Sequence, residues 1–151
     1  MYSARDIASY VISSYCNNRK AITNLKLQKI LYYIQGYALI MCGTPAFSDD
    51  IHIWAYGPVV PEVYFEYCLH RSNPIPKQDR DLSSILEMIR NAPEIINVVD
   101  AVIQKSFLLT DKEIVEMACG KMDPQKRIHT KVPIQSIVSD FIGCDPLGVN
   151  R

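Results

Sequence analysis

Apolar residues recur at helical spacing along most of the chain. From Ala4 to Tyr15 they follow one another at intervals of three or four residues, which places them on a single helical face. Ser3 stands directly before this stripe as a good N-cap residue, and Asp6 lies three positions later, where a capping box needs its acceptor. The pattern predicts an amphipathic helix that begins after Ser3 and buries one face.

The second apolar stretch predicts a helix that is apolar nearly all round. It runs from Leu25 to about Cys42 and is ended by Gly43 and Pro45. Several tyrosines widen its apolar face, as is typical of a helix at the centre of a domain. The predicted core face consists of Leu27, Ile30, Leu31, Ile34, Ala38 and Met41.

One short segment has the alternation of a β-strand instead. Residues 51–56 are rich in β-branched and aromatic side chains, and Gly57 and Pro58 are expected to end the strand. Alternation divides the strand into an aliphatic face, expected in the core, and an aromatic face that is partly available to a partner. The aliphatic face comprises Ile51, Ile53 and Ala55, and the aromatic face comprises His52, Trp54 and Tyr56.

The rest of the chain returns to helical spacing. Pro61 suits the first turn of a third helix that extends to about His70, and Thr110 with Glu113 forms a capping box. Further helices are predicted at about residues 82–91, 95–103, 111–119 and 134–142. The predicted fold class is therefore mainly α: a compact single-domain helical bundle over residues 1–143 with a small β-strand or hairpin element, followed by a flexible tail at 144–151.

Composition and charge narrow the class of protein. The chain has 151 residues, of which 48% are hydrophobic and 21% charged, the mix of a globular domain. Sixteen Lys and Arg balance sixteen Asp and Glu, which argues against specific nucleic-acid binding, since phosphate affinity needs a surplus of cations. The basic residues Lys121, Lys126, Arg127 and Lys131 are interpreted as a solvated segment. A span-length apolar run and a signal peptide are both missing from the sequence, so we expect a cytoplasmic protein without membrane contact.

Residues with the potential for catalysis or metal binding are scarce. The five cysteines have no paired spacing and are expected to be reduced and to bind no metal. Cys68 and His70 would point in different directions on a helix, so they cannot share a ligand. No nucleophile–base motif or phosphate-binding glycine loop occurs, and we predict no catalytic residue and no cofactor. Tyr and Trp concentrate between Tyr32 and Tyr67, and such side chains serve both cores and protein-binding hot spots.

Three segments resemble the Panacea domain. Residues 25–36 read LKLQKILYYIQG, which is similar to the LKLQKLLYYAQG signature of this SocA-like antitoxin family, whose members include phage-associated GepA-like proteins. Residues 43–47 (GTPAF) and 54–64 (WAYGPVVPEVY) are similar to two further segments of the family, in the same order. The motif residues that we interpret as structural are Leu27, Gln28, Leu31, Tyr32, Gln35, Gly36, Gly57, Pro58, Pro61 and Tyr64.

The resemblance implies a mostly helical, non-catalytic domain that binds and neutralises a protein toxin encoded beside it. It also implies alternatives, because the SocA branch delivers its toxin to a cytosolic protease and a phage or mobile-element protein would bind a host target. An enzyme is the hypothesis from a different class, and the lack of a catalytic motif argues against it. The identity of the toxin and a homo-oligomeric state stay open.

The predicted toxin contacts lie in the first and third of these segments. Three come from the side of the second helix that we expect to be polar, two from the aromatic face of the strand, and two from the turn expected after it. They are Lys26, Lys29 and Tyr33, then Trp54 and Tyr56, and finally Val59 and Val60.

Overall fold

The computed structural model describes residues 2–79, 81–119 and 130–149, which form seven α-helices and a two-stranded antiparallel sheet. This confirms the mainly α class with a small hairpin. The helices are α1 (Ala4–Asn17), α2 (Asn24–Cys42), α3 (Pro61–Tyr67), α4 (Ser83–Asn91), α5 (Pro93–Ser106), α6 (Asp111–Cys119) and α7 (Ile134–Phe141). The strands are β1 (His52–Trp54) and β2 (Gly57–Val59), and a 3₁₀ turn over Cys68–His70 extends α3.

Helix α2 lies at the centre of the molecule. It contacts α1, α3, α5, α6, α7 and β2, so other elements surround it on most sides. Five of the six residues predicted as its core face are fully buried, which confirms the prediction for them. It is wrong for Met41, which is 44% exposed in the last turn of the helix. Because neighbours also cover the rest of its surface, almost every side chain from Lys26 to Ala38 is buried, including polar ones.

The predicted helix starts are confirmed by their capping hydrogen bonds. The Ser3 hydroxyl accepts from the backbone N–H of Asp6 at 3.2 Å. At the start of α6, Thr110 Oγ1 accepts from the N–H of Glu113 at 3.1 Å, and the Glu113 carboxylate accepts in return from the N–H of Thr110 at 3.2 Å. Gly43, with φ of 74°, ends α2 in the left-handed conformation that glycine favours.

The single predicted strand is in fact a hairpin. β1 pairs with β2 in a register that sets Trp54 opposite Gly57, so Ala55 and Tyr56 form the connecting turn. The prediction that Gly57 and Pro58 end the strand is wrong, because they begin its partner strand. The alternation therefore stops at Trp54, and Ala55, which was expected in the core, is exposed in the turn.

The C-terminal residues pack against α2 where a flexible tail was expected. The Phe141 ring lies 5.2–6.0 Å from the ring centroids of three tyrosines of α2, directly over Gly36, where an added methyl group would overlap the ring. Beyond it, the Tyr37 hydroxyl donates to Asp145 and accepts from the N–H of Leu147, which is itself buried. Asp145 and Leu147 are thus held against α2, whereas Cys144 is exposed and residues 150–151 lie outside the described residues.

Buried tyrosines join elements that are distant in sequence. Tyr32 donates to Asp140 of α7 at 2.8 Å, and Tyr10 donates to Asp100 of α5. Burial, reinforced by the adjacent carboxylates, raises the pKa of both phenols well above the ordinary value. These hydroxyls are therefore neutral donors that stabilise the packing of α1 and α2 against the C-terminal half.

Candidate functional site

Polar side chains of α2 hold the hairpin and α3 in place. Gln28 Oε1 accepts from the backbone N–H of Val60 at 2.9 Å, and Lys29 Nζ donates to the carbonyl of Pro58 at 2.9 Å. Asn24 donates to a backbone carbonyl of α3 at 3.1 Å. All three side chains are buried, so each hydrogen bond satisfies a group that water cannot reach. The first family-like segment, together with Asn24 directly before it, thus holds β2 and α3 in place.

Gln35, about two turns after Gln28 on α2, also holds a following segment of the chain in place. Its side-chain oxygen accepts from the backbone N–H of Ala46 at 2.8 Å and of Phe47 at 3.3 Å. Its side-chain nitrogen donates to the carbonyl of Phe47 at 3.0 Å. The loop after α2 is thereby fixed to the helix. Both glutamines of the motif, Gln28 and Gln35, thus hydrogen-bond to the backbone of segments that follow α2.

The three toxin contacts expected on α2 do not lie on an exposed polar side, and that prediction is wrong. Lys29 and Tyr33 have no exposed surface, and Lys26 is 6% exposed. Lys26 Nζ donates to the carbonyl of Leu109 and lies 5.5 Å from the ring centroid of Tyr15, while burial lowers the pKa of its ammonium. The helix has no solvated side here because the end of α5, α6 and the hairpin cover it.

Val59 and Val60 are also buried, so the turn expected to present them does not exist. Val59 belongs to β2 and Val60 is the N-cap residue of α3, whose side chain joins the core. The physical reason is the hairpin: its two-residue turn comes before Gly57, so the chain has already returned to α2 when it reaches the valines. A partner cannot contact either side chain in this structure.

Trp54 and Tyr56 do lie on the surface, together with two aromatic residues of α3. The Trp54 ring packs edge-on against Tyr64 at 4.8 Å and against Phe65 at 5.8 Å, measured between ring centroids. Trp54 and Tyr64 are half-buried, whereas Tyr56 is 68% and Phe65 is 65% exposed. We call Trp54, Tyr56, Tyr64 and Phe65 the aromatic face.

The aromatic face is held by buried neighbours. On α3, Val63 and Tyr67 point into the core, so Phe65, two residues from each, must point outward. On the hairpin, Tyr56 occupies the turn, and the positive φ of 101° at Gly57 lets the chain reverse directly after it. Arg5 of α1 pairs with Glu66 at 3.3 Å and with Glu62 at 3.9 Å, which fixes the flank of α3.

This arrangement suits protein binding. Exposed Tyr, Trp and Phe side chains on rigid elements bury large area while losing little conformational freedom, as binding hot spots do. Sequence reasoning missed Phe65, although its helical position opposite Val63 and Tyr67 was a usable signal. It also missed Leu69, one helical turn beyond Phe65 and 90% exposed, which extends the apolar surface.

Most of the predicted basic segment lies outside the residues that the structure describes. Lys121, Lys126 and Arg127 lie outside the described residues, whereas Lys131 pairs with Asp50 at 3.1 Å. In the described ranges, no helix has the length and hydropathy needed to cross a bilayer, and no three His, Cys, Asp or Glu side chains gather around a common point. The reduced state of the five cysteines stays a prediction.

The model of the family "Antitoxin SocA-like, Panacea domain" matches residues 27–123. Antitoxin SocA of Caulobacter vibrioides is 36% identical over 61 residues, a match that covers 40% of this chain and 32% of that protein. The chain thus spans about a third of the length of this curated relative. No solved structure matches.

Proposed function

Because the chain belongs to the antitoxin SocA-like, Panacea domain family, we propose that it is an antitoxin that neutralises a cognate protein toxin by direct contact through the aromatic face. The role is stoichiometric binding without catalysis, and it takes place in the cytoplasm. The observation that carries the choice of surface is the exposure of Tyr56 and Phe65 on elements fixed to the core. The name of the matched relative, an antitoxin, supports the class of function.

The energetics of such a surface favour a few strong contacts. Tyr56 and Phe65 each expose about two thirds of their surface, and the Trp54 ring packs edge-on against Phe65. A buried aromatic anchor at the centre of an interface contributes about 2 kcal/mol or more when truncated to alanine, a loss of about thirtyfold in affinity. The supporting hydrogen bonds of Gln28 and Lys29 would be unaffected by such truncations.

The test uses the product of the reading frame adjacent to this gene as the toxin. Cells that express the product with the wild-type chain should grow, and Phe65→Ala or Tyr56→Ala should lose this rescue. Leu108→Ala is the matched control, because Leu108 is 80% exposed but follows α5 and belongs neither to α3 nor to the hairpin. Titration calorimetry of the purified pair should show the same order of affinities, with the melting temperature of every variant near that of the wild type.

The outcomes separate this proposal from the alternatives. Direct occlusion predicts that the purified chain alone inhibits the toxin. Neutralisation that requires a protease and shortens the lifetime of the toxin would instead show an adaptor. A harmless adjacent product, with a different protein captured by the aromatic face, would favour a host-directed role. Full rescue by both aromatic variants would exclude this surface as the toxin-binding site.

A further inference from the structure

The turn after α3 has a backbone conformation that suits glycine, yet it contains arginine. Arg71 has φ of 54° and ψ of −123°. The N–H of Asn73 donates to the carbonyl of His70 at 2.9 Å, which closes a four-residue turn with Arg71 at its second position. These angles and this hydrogen bond define a type II′ turn, in which glycine dominates that position because a Cβ is strained there.

The structure shows no internal contact that offsets the strain. The Arg71 side chain is exposed and makes no hydrogen bond or ion pair with any residue that the structure describes. Its backbone N–H donates to the carbonyl of Cys68 at 3.1 Å, a bond that glycine would make equally well. A strained, exposed residue that directly follows an element with exposed aromatic side chains is a candidate functional position.

Arg71 lies at the end of the aromatic face. Leu69, two residues before it, is 90% exposed and sits one helical turn beyond Phe65. The exposed Phe65 of α3 is therefore followed along the chain by the exposed Leu69 and then by the exposed guanidinium-bearing Arg71. Arginine is enriched in binding hot spots, and its planar fork pairs with a carboxylate through two parallel hydrogen bonds.

We propose that Arg71 is a specificity-determining contact that pairs with a carboxylate of the toxin at the edge of the aromatic face. The inference rests on the proposed function and adds to it the charge of the toxin surface. The apolar part of the interface meets Tyr56 and Phe65, and an acidic side chain of the toxin meets Arg71. Arginine is retained at this strained position because glycine would remove the contact between the guanidinium and the carboxylate.

Two substitutions test the proposal in opposite directions. Arg71→Gly relieves the turn and removes the guanidinium, so the melting temperature should rise by about 2–4 °C while affinity for the adjacent reading frame's product falls at least tenfold. Arg71→Glu keeps the strained backbone and reverses the charge. Its melting temperature should stay near that of the wild type, and its affinity should fall further than that of Arg71→Gly.

Arg19 provides the matched control. It is also an exposed arginine with positive φ, at 57°, but it lies in the loop between α1 and α2 and contributes nothing to the aromatic face. Arg19→Gly and Arg19→Glu should leave the affinity within twofold of the wild type. The loss caused by Arg71→Glu should shrink as salt is raised, because an ion pair at the edge of an interface is screened.

The outcomes distinguish this inference from the proposed function. If the wild type binds the product and Arg71→Gly binds equally well, the inference is overturned and the proposed function stands. A melting temperature that falls for Arg71→Gly also overturns it, because the turn is then not strained. Equal losses for the Arg19 variants would refute a specific contact. If the wild type itself does not bind, the proposed function fails and this inference fails with it.

Discussion

Replacement of Gln35 by leucine tests the view that the polar residues of α2 are supports for the fold. Gln35 is 3% exposed and makes three hydrogen bonds to the backbone of the loop at Ala46 and Phe47, both of which are buried. Leucine is similar in size to glutamine, but its side chain offers neither a hydrogen-bond acceptor nor a donor. Two N–H groups and one carbonyl would then be left without these partners in a place that water does not reach.

The expected magnitude follows from these three groups. A buried polar group without its partner costs about 1–3 kcal/mol, so three of them would cost about 3–9 kcal/mol if the loop stayed in place. The loop can relax toward water, which favours the lower end, and we expect a loss of about 3–4 kcal/mol. Because a domain of this kind unfolds with about 5–15 kcal/mol, this is a large fraction of its stability.

The assay is urea denaturation followed by circular dichroism, with Gln104→Leu as the control. Gln104 is also a helical glutamine, but it is exposed on α5, so its replacement should change the free energy of unfolding by less than about 0.5 kcal/mol. The reasoning would be refuted if Gln35→Leu lost no more than about 1 kcal/mol, or if both variants lost the same amount. Such a result would show that the loop does not depend on Gln35.

Three further predictions follow from the packing around α2. Gly36→Ala should destabilise the chain by about 1–3 kcal/mol in the same assay, because the added methyl group overlaps the Phe141 ring; an unchanged midpoint would show that α7 is not seated there. Lys29→Glu should abolish rescue by unfolding the chain, since it buries a carboxylate against the carbonyl of Pro58, and a variant with a native circular dichroism spectrum would contradict this. Stability should fall between about pH 10 and 12. Burial raises the pKa of Tyr15 to about 12 and raises that of three other tyrosines further. The folded chain therefore holds these phenol protons more tightly than the unfolded chain. This contribution is complete below pH 10 and is lost as the pH rises through the folded pKa; phenolate absorbance at 295 nm that grows to completion before the far-ultraviolet signal changes would count against it. The three other tyrosines are Tyr10, Tyr32 and Tyr37.

The helices were predictable because their signals are local. The stripe of α1 lies within 14 residues, and its capping box is set by Ser3 and Asp6. The box at Thr110 and Glu113 is equally local. In each case the residues that decide the structure are three or four positions apart, so the spacing alone specifies the element.

The surroundings of the lysines were not predictable from spacing. Lys26 donates to a carbonyl 83 residues later, and Lys29 donates to one 29 residues later. A lysine in a sequence predicts a solvent-exposed side chain unless its hydrogen-bond acceptor is known. Here the acceptors come from elements that only the fold brings together. The same holds for Val60, whose burial depends on Gln28 of α2.

The hairpin and the candidate site could be predicted from the sequence only in part. The turn at Ala55 and Tyr56 contains neither of the Asn-Gly or Asp-Gly pairs that signal a two-residue turn, so its second strand was missed. Trp54 and Tyr56 were expected to be partly available because strand alternation sets them opposite the aliphatic side chains, and Phe65 could have been inferred from the helical position of its neighbours. Arg71 had no signal, because no glycine marks the turn in which it lies.

The most direct measurement of the central claim is site-specific photo-cross-linking in living cells. A photo-reactive phenylalanine analogue would replace Phe65 of α3 in one variant and Leu108, which follows α5, in the other; both positions are exposed. If the aromatic face binds the toxin, illumination should join the product of the adjacent reading frame to the chain from position 65 and not from position 108. Capture from position 108 alone, or no capture from position 65 while the variant still rescues growth, would contradict the account.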